Sequence, residues 1–327
     1  MSVEKKPHAL PSDPEPADTE PAPAKAATRP PEHVPVLRGS ILRWLNARLA
    51  HRSVVGAGAD PHGYDPSAVA ATIARLRELG RWLPWFRRHA RGLENVPRAP
   101  VLVVMNHSGG TSIPDVWGLI MAWYAHFGPE RPLHPLAHEM VLGTPLTARY
   151  FERRGVLAAD RRVAAAALAA GHDVLVLPGG DLEAWRPYRD RFRVDFGGRT
   201  GYATLAAEAQ VPIVPVAHVG AHETLVVLSR GRRLARALRL PELTRAEIFP
   251  IHLSLPWGLA IGPLPHIPWP GTLRYAFGRP IPPGAPPSPT WSDAEKIRHT
   301  AAIDIQVRIA IQTELDRFKC ELAKQPP

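Results

Sequence analysis

The sequence predicts an α/β fold: a single domain with a largely parallel central sheet flanked by helices, plus amphipathic helices near the N-terminus. Two observations support this fold class. The largely apolar runs V-L-V-V-M (101–105) and D-V-L-V-L (173–177) are typical of strands that are buried on both faces. The segments between such runs show helical periodicity, so strands and helices alternate along the chain, as a parallel sheet requires.

The N-terminal part of the chain is predicted to lie outside the α/β domain. Residues 1–36 are rich in proline, alanine and acidic groups and have almost no large apolar side chains, which predicts disorder. Residues 37–92 are predicted to form an amphipathic helical segment. In it, residues 38–52 carry four arginines and no acid, which fits either a membrane surface or a helix packed on the domain. Residues 81–88 mix arginine with aromatic side chains, which suits a lipid headgroup layer or a single-stranded nucleic acid.

The elements that follow are predicted from breakers, caps and apolar runs. Pro84 ends a first helix, Gly171 forms the C-cap of an alanine-rich helix, and the capping box at 292–295 opens a terminal helix. The α/β domain itself is predicted to span residues 93–320. The predicted elements are helix Ser67–Leu83, strand Val101–Met105, helix Pro114–Phe127, helix Arg161–Ala170, strand Asp173–Leu177, helix Thr200–Gln210, strand Val211–Val216, strand Leu273–Phe277 and the terminal helix.

The composition limits the compartment and the partners. A single cysteine, Cys320, excludes an internal disulfide framework and favours a reducing compartment. The net charge of +10 favours anionic partners, but only six of the 40 basic residues are lysines, so an arginine-rich coding bias explains the charge equally well. No apolar stretch reaches the roughly 18–20 residues that a bilayer span requires, and the first residues lack the apolar core of a signal peptide. We therefore expect a cytoplasmic protein, peripherally associated with the inner face of the membrane.

The segment N-H-S-G-G-T-S-I-P-D (106–115) is the strongest indication of a site. His107 lies just past the carboxyl end of the strand that ends at Met105, and open α/β sheets bind their ligands at the carboxyl ends of their strands. An imidazole, two glycines and Asp115 are the parts of a general-base site. Each also has a structural alternative: His107 as a satisfied core histidine, and Asp115 as part of the S-x-x-D helix start that begins at Ser112.

A second loop, P-G-G-D-L-E (178–183), follows another buried strand at the same edge of the sheet. Two adjacent glycines allow backbone N–H groups to converge on an anion, although a tight turn explains them equally well. The arginines that follow favour phosphate recognition, although each one alone is expected to be a solvated surface group. They are Arg186, Arg189, Arg191 and Arg193.

Four blocks in the following order resemble a known family. They are N-H…D (106–115), F-x-R-R-G (151–155), P-G-G-x-x-E-A (178–184) and V-P-I-V-P-V (211–216). Together they resemble the glycerolipid acyltransferases related to lysophosphatidate acyltransferase, over about residues 90–285. The P-G-G-x-x-E form is closer to the monoacylglycerol and diacylglycerol acyltransferase-like branch.

The resemblance implies acyl transfer from a thioester donor, acyl-CoA or acyl-carrier protein, to a hydroxyl of a glycerolipid or a related lipid alcohol. His107 is then the general base and Asp115 the group that orients it. The expected partners are the donor, the lipid acceptor and an anionic membrane surface, with no cofactor beyond the thioester substrate and no metal. The substrate-binding residues implied are Asn106, Arg153, Arg154, Pro178, Gly179, Gly180 and Glu183. In the family, four residues separate the histidine from the aspartate, whereas here seven do, with Ser112 at the usual place of the aspartate.

Other functions stay open on the sequence alone. A non-catalytic lipid- or acyl-binding protein on the same scaffold is the main alternative, and the lengthened spacing favours it. A serine hydrolase is suggested by H-S-G-G (107–110), but no G-x-S-x-G nucleophile elbow accompanies it. Two H-x-x-x-H-E motifs, at 134–139 and 218–223, suggest metal binding without matching H-E-x-x-H. Nucleic acid binding rests on charge alone and is not expected, and no oligomeric state is predicted.

Overall fold

The structure is a computed structural model and describes residues 58–98, 100–240, 242 and 247–324. The predicted tail 1–36 and the basic stretch 38–52 lie outside these residues. The helices are α1 (Pro66–Trp82), α2 (Pro114–Phe127), α3 (Pro145–Glu152), α4 (Arg161–Ala169), α5 (Gly180–Ala184), α6 (Gly201–Ala209), α7 (Arg232–Ala237) and α8 (Asp293–Ala323). The strands are β1 (Phe86–Arg91), β2 (Leu102–Met105), β3 (Leu133–Ala137), β4 (Leu157–Ala158), β5 (Asp173–Val176), β6 (Ile213–Val219), β7 (Val226–Ser229), β8 (Ile251–Ser254), β9 (Gly258–Ile261) and β10 (Gly271–Phe277).

The described strands form two sheets. The larger has seven strands in the order β1-β10-β6-β2-β5-β3-β4, and the smaller has the order β7-β8-β9. In the larger sheet, β6, β2, β5, β3 and β4 run parallel, while β10 is antiparallel to β6. The small sheet is antiparallel. The largely parallel α/β fold that the sequence predicts is therefore confirmed.

The core has one layer on each face of the large sheet, and β2 contributes to both. Leu102 and Val104 pack with α4, α6 and α8, whereas Val103 and Met105 pack with α1 and α2. These strand residues have no exposed surface, as the continuous apolar run predicts. The carboxyl ends of the parallel neighbours β2 and β5 therefore meet at one edge of the sheet.

The predicted helices and strands are present, with ends shifted by a few residues, and the capping box of α8 is formed by Ser292 and Glu295. Residues 86–91 correct the predicted organisation, because they form a strand instead of continuing an amphipathic helical segment. β1 pairs with β10, and Arg91 donates to Glu321 (2.6 Å) and Glu314 (3.1 Å) of α8. The domain therefore begins before residue 93. No helix among the described residues is long and apolar enough to cross a bilayer.

His134 on β3 is a buried histidine that holds the edge of the sheet. Its Nδ1 lies 2.7 Å from the Gly155 carbonyl oxygen and its Nε2 lies 3.0 Å from His172 Nδ1. Burial lowers the pKa of His134 to about 4. The folded state therefore disfavours protonation of this ring, whereas in the unfolded chain the ring is protonated with the pKa of an ordinary histidine.

We predict that acid destabilises the protein through His134. As the pH falls below 6.5, the unfolded chain gains a proton that the folded state takes up only near pH 4, so the free energy of unfolding falls. By pH 5 the loss is on the order of 2 kcal/mol, since one pKa unit is about 1.4 kcal/mol. Urea unfolding at pH 7 and pH 5 measures this loss of unfolding free energy.

In His134→Gln, the free energy of unfolding should differ less between the two pH values. The exposed residue His126 provides the control, His126→Gln, and equal slopes in the two variants would contradict the prediction.

Candidate active site

Asn106 is the first residue after β2 and ties this strand to β6. Its Nδ2 donates to the His218 carbonyl oxygen (2.9 Å), and its Oδ1 accepts the His218 N–H (2.8 Å). The side chain has no exposed surface. Both ends of the amide are therefore hydrogen-bonded within the fold and hold the two strands together, and the predicted role of Asn106 in substrate binding stays a prediction.

The loop after His107 makes up for the lengthened spacing to Asp115. Gly109 and Gly110 adopt φ values of 98° and 61°, and residues 110–112 form a single 3₁₀ turn. A Cβ at Gly109 would lie 2.6 Å from Pro114 Cδ, so this turn requires glycine. The extra residues thus project as a loop, and α2 still begins beside the imidazole.

His107 and Asp115 are in direct contact. His107 Nδ1 lies 2.6 Å from Asp115 Oδ2, which also accepts the Ser108 N–H (2.9 Å). Asp115 Oδ1 accepts the Val116 N–H (2.9 Å). The imidazole is 11% exposed and the carboxylate 0%. The dyad expected from the sequence therefore has the required contact, and only the imidazole keeps a small exposed surface.

The predicted S-x-x-D capping pattern is not formed at the start of α2. Ser112 Oγ donates to the His266 carbonyl oxygen (2.6 Å) instead. Ile113 occupies the N-cap in the left-handed region, with φ of 41° and no side-chain cap, which is strained for a β-branched residue. This helix start is therefore held by tertiary contacts, and Asp115 binds backbone N–H groups and the imidazole together.

The electrostatics favour a charged pair. Burial works against charge on both groups, but Asp115 outweighs it and raises the pKa of His107 above 6.5. In the same way burial would raise the pKa of Asp115, and the neighbouring His107 outweighs it and lowers that pKa. A carboxylate facing Nδ1 holds the proton of a neutral imidazole there, so Nε2 is left as the base.

Glu183 connects the second loop to the dyad. Its Oε2 accepts the His107 N–H (3.1 Å), and its Oε1 accepts the Asp195 N–H (3.0 Å) and binds Arg186 Nη1 (2.6 Å). The carboxylate is fully buried and holds the backbone of His107, and its predicted role in substrate binding stays a prediction. Burial is also the main reason that its pKa is raised.

The residues of the Pro178-Gly179-Gly180 turn support this carboxylate. A Cβ at Gly179 would overlap the Glu183 side chain, so glycine is required there. The Gly180 N–H donates to the Leu177 carbonyl oxygen (3.0 Å), which removes one donor from the predicted anion cradle. Arg199 Nη1 donates to the carbonyl oxygens of Pro178 (3.2 Å) and Gly179 (2.9 Å). The turn thus has a structural role that the sequence left open.

Arg186 differs from the solvated arginine that the sequence predicts. Its guanidinium is 1% exposed, whereas Arg189 and Arg193 are largely exposed. Arg186 Nε and Nη2 have no hydrogen-bond partner among the described residues. A buried cation with unused donors lies one turn after Glu183, and no local signal in the sequence separates it from its exposed neighbours.

Arg153 and Arg154 are not brought to the imidazole. Arg153 Nη2 binds Asp65 Oδ2 (2.5 Å), and Arg154 Nε donates to Thr72 Oγ1 of α1 (2.9 Å). Both precede β4, which is three strands from β2 in the sheet. These arginines tie α1 to the segment before β4, and their predicted role in substrate binding stays a prediction.

The sequence missed the aromatic support behind the dyad. Tyr275 of β10 donates its hydroxyl to the Asp115 carbonyl oxygen (2.8 Å), and the His218 ring stacks on Tyr275 at 4.8 Å. Burial lowers the pKa of His218 to about 4, so this ring is neutral beside the dyad. Within the described part of the chain, no group of three or more histidine, cysteine or acidic side chains could hold a metal ion.

We predict that Glu183→Ala destabilises the protein by about 3–5 kcal/mol in urea unfolding, because Arg186 is then a buried charge without its partner. The double variant Glu183→Ala/Arg186→Met removes both charges. It should recover the part of the loss that comes from the unpaired guanidinium, because no buried charge is then left without a partner. A double variant as unstable as the single one would contradict this.

Comparison with known proteins identifies the family. The Acyltransferase family model matches residues 87–219. An uncharacterized protein of Mycobacterium tuberculosis is 30% identical over 296 residues, which cover 90% of this chain and 79% of that protein. The human DGAT1/2-independent enzyme synthesizing storage lipids is 28% identical over 60% of this chain and 59% of its own. The crystal structure of the lysophosphatidate acyltransferase PlsC from Thermotoga maritima has a TM-score of 0.44 and 16% identity, covering 89% of this chain and 96% of that one. The chain belongs to the acyltransferase family.

Proposed function

We propose that this protein transfers a fatty acyl group from acyl-CoA or acyl-carrier protein to a hydroxyl of a glycerolipid or a related lipid alcohol. His107 is the general base, and Asp115 orients it. The protein acts in the cytoplasm, peripherally associated with the inner face of the membrane. The single observation that carries the proposal is the 2.6 Å contact between His107 Nδ1 and Asp115 Oδ2 beside the carboxyl end of β2, in a chain of the acyltransferase family.

The relatives support a lipid acceptor. The human, chicken and bovine proteins similar to this chain carry the name of an enzyme that synthesizes storage lipids. The main alternative, a non-catalytic lipid-binding protein, rested on the lengthened spacing between His107 and Asp115. The glycine loop at 109–110 removes that argument, because it preserves the contact across seven intervening residues.

The proposed reaction needs no covalent enzyme intermediate. His107 Nε2 accepts the proton of the lipid hydroxyl while the hydroxyl oxygen attacks the thioester carbonyl carbon. The carbon–sulfur bond then breaks, and the imidazolium returns the proton to the leaving thiolate, so the products are an ester and a free thiol. Asp115 stabilises the transient imidazolium by its charge. Glu183 keeps the imidazole in place through the His107 N–H.

We predict that His107→Ala lowers thiol release from acyl-CoA in the presence of a lipid alcohol by about 10²–10⁴-fold, the usual contribution of a positioned general base. Asp115→Asn should lower it by a similar order, because the imidazole loses the charge that stabilises its protonated form. A thiol-reactive dye measures the release, and circular dichroism checks the fold. His126→Ala at an exposed site is the control. Activity of His107→Ala within a few-fold of the parent would exclude the general-base role.

We also predict the direction of the pH dependence. Only neutral His107 can accept a proton, and Asp115 raises its pKa above 6.5. The rate should therefore fall as the pH drops through a value higher than that of an ordinary histidine. The measurement is kcat/KM for thiol release against pH. An acidic limb centred below 6.5 would show that the base is not this paired imidazole.

A further inference from the structure

The stretch between Glu247 and Arg274 stands out in the sequence by its lack of charge. Residues 248–273 contain no aspartate, glutamate, lysine or arginine, whereas 21% of the whole chain is charged. This stretch forms β8, β9 and the loop that leads to β10. It folds into short strands and loops and contains no helix that could cross a bilayer, so its exposed apolar side chains need another explanation.

The hairpin of β8 and β9 exposes apolar side chains and buries polar ones. β8 buries His252 and Ser254 and exposes Leu253, which keeps 41% of its surface. On β9, Leu259 and Ile261 are 65% and 51% exposed. A strand of a water-soluble sheet normally turns its apolar side chains to the core and its polar ones to solvent. Here the leucines and the isoleucine face outward.

The neighbouring loops extend this exposed surface with aromatic residues. Trp257 and Trp269 are exposed, as is Ile267, and the indole N–H of Trp257 donates to the Pro265 carbonyl oxygen (2.6 Å). We call these side chains the apolar face. It comprises Leu253, Trp257, Leu259, Ile261, Ile267 and Trp269. Contiguous apolar surfaces of this kind mark interaction sites, and tryptophan is enriched where a protein meets the lipid headgroups.

Exposed arginines lie at the end of the same small sheet. α7 follows β7, the strand that pairs with β8, and the Phe249 N–H before β8 donates to the Arg230 carbonyl oxygen (3.0 Å). Residues 231–240 contain no acidic residue. The exposed cations of this segment are Arg232, Arg233, Arg236 and Arg239. Apolar side chains beside a purely cationic group match the surface of an anionic lipid leaflet.

We propose that the apolar face docks on the surface of an anionic lipid leaflet, with the arginines of α7 against the headgroups. A second copy of this chain fits less well, because two faces with arginines beside them would repel each other in a protein of net charge +10. The hairpin side chains then enter the boundary between headgroups and acyl chains, where an interfacial protein buries its apolar surface.

The docked face is connected to the dyad loop. Thr111 Oγ1 donates to the Leu264 carbonyl oxygen (3.2 Å), and Ser112 Oγ donates to the His266 carbonyl oxygen (2.6 Å). Trp185, next to the buried Glu183 and Arg186 pair, packs on the His252 ring at 5.0 Å. The same surface that meets lipid thus supports the loop carrying His107. If the protein catalyses the proposed acyl transfer, the lipid alcohol reaches the dyad directly from the leaflet through this face. Only this step rests on the proposed function.

The test compares two triple variants of the full chain. Leu253→Ser/Leu259→Ser/Ile261→Ser removes the hairpin part of the apolar face. Ile297→Ser/Ile305→Ser/Ile309→Ser is the matched control, because these three side chains are equally exposed on α8. Binding is measured by co-sedimentation with vesicles of phosphatidylcholine and phosphatidylglycerol. We expect the first variant to bind at least about tenfold more weakly, since each of its side chains no longer enters an apolar layer, and the control to bind like the parent.

Two further measurements keep the proposal separate from the proposed reaction. Arg232→Gln/Arg233→Gln/Arg236→Gln should weaken binding to the phosphatidylglycerol vesicles and leave binding to pure phosphatidylcholine vesicles unchanged. Thiol release should fall in the hairpin variant with an alcohol embedded in vesicles and stay unchanged with a short-chain, dispersed alcohol.

If the parent binds vesicles through the hairpin but releases no thiol, the proposed reaction is wrong and the docking stands. Equal vesicle binding by the parent and the hairpin variant would overturn the docking. The docking would also be overturned if the parent forms a dimer in solution and the hairpin variant is a monomer, because the apolar face would then bind a second copy of the chain.

Discussion

The site depends on a buried carboxylate. Asp115 has no exposed surface, and its two oxygens receive three contacts, from the imidazole of His107 and from the backbone N–H groups of Ser108 and Val116. A charge can be kept in such a place only when its environment compensates for lost hydration. The same contacts hold the imidazole in one orientation and raise its pKa. The contact with Asp115 therefore explains both the orientation of the imidazole and its raised pKa.

A second buried carboxylate fixes the position of this dyad in the fold. Glu183 accepts the His107 N–H and binds the guanidinium of Arg186, so it connects the segments that follow the parallel strands β2 and β5. Gly179 leaves the space that the Glu183 side chain occupies. The P-G-G-x-x-E block is thus explained by packing and charge compensation around the imidazole, and its residues need not touch the substrate.

The sequence predicted what depends on local patterns and missed what depends on distant partners. Apolar runs and caps predicted β2, β5 and α2, and the order of strand, histidine and aspartate predicted the dyad contact. Strand β1 was missed because its polar residues are ordered by β10, from the far end of the chain. The family resemblance implied a substrate role for Glu183, whereas its buried contact with Arg186 has no local signal in the sequence. The β8–β9 hairpin was missed because its leucines face away from the core.

The central claim is that Asp115 holds a proton on Nδ1 of His107 and leaves Nε2 as the acceptor. Proton–nitrogen NMR correlation spectra of histidine-labelled protein test this most directly, with the His107 signals assigned by comparison with His107→Gln. The account predicts a neutral ring protonated at Nδ1 above its raised pKa, with a strongly deshielded Nδ1 proton that is lost in Asp115→Asn. A His107 ring protonated at Nε2, or one insensitive to Asp115→Asn, would contradict it.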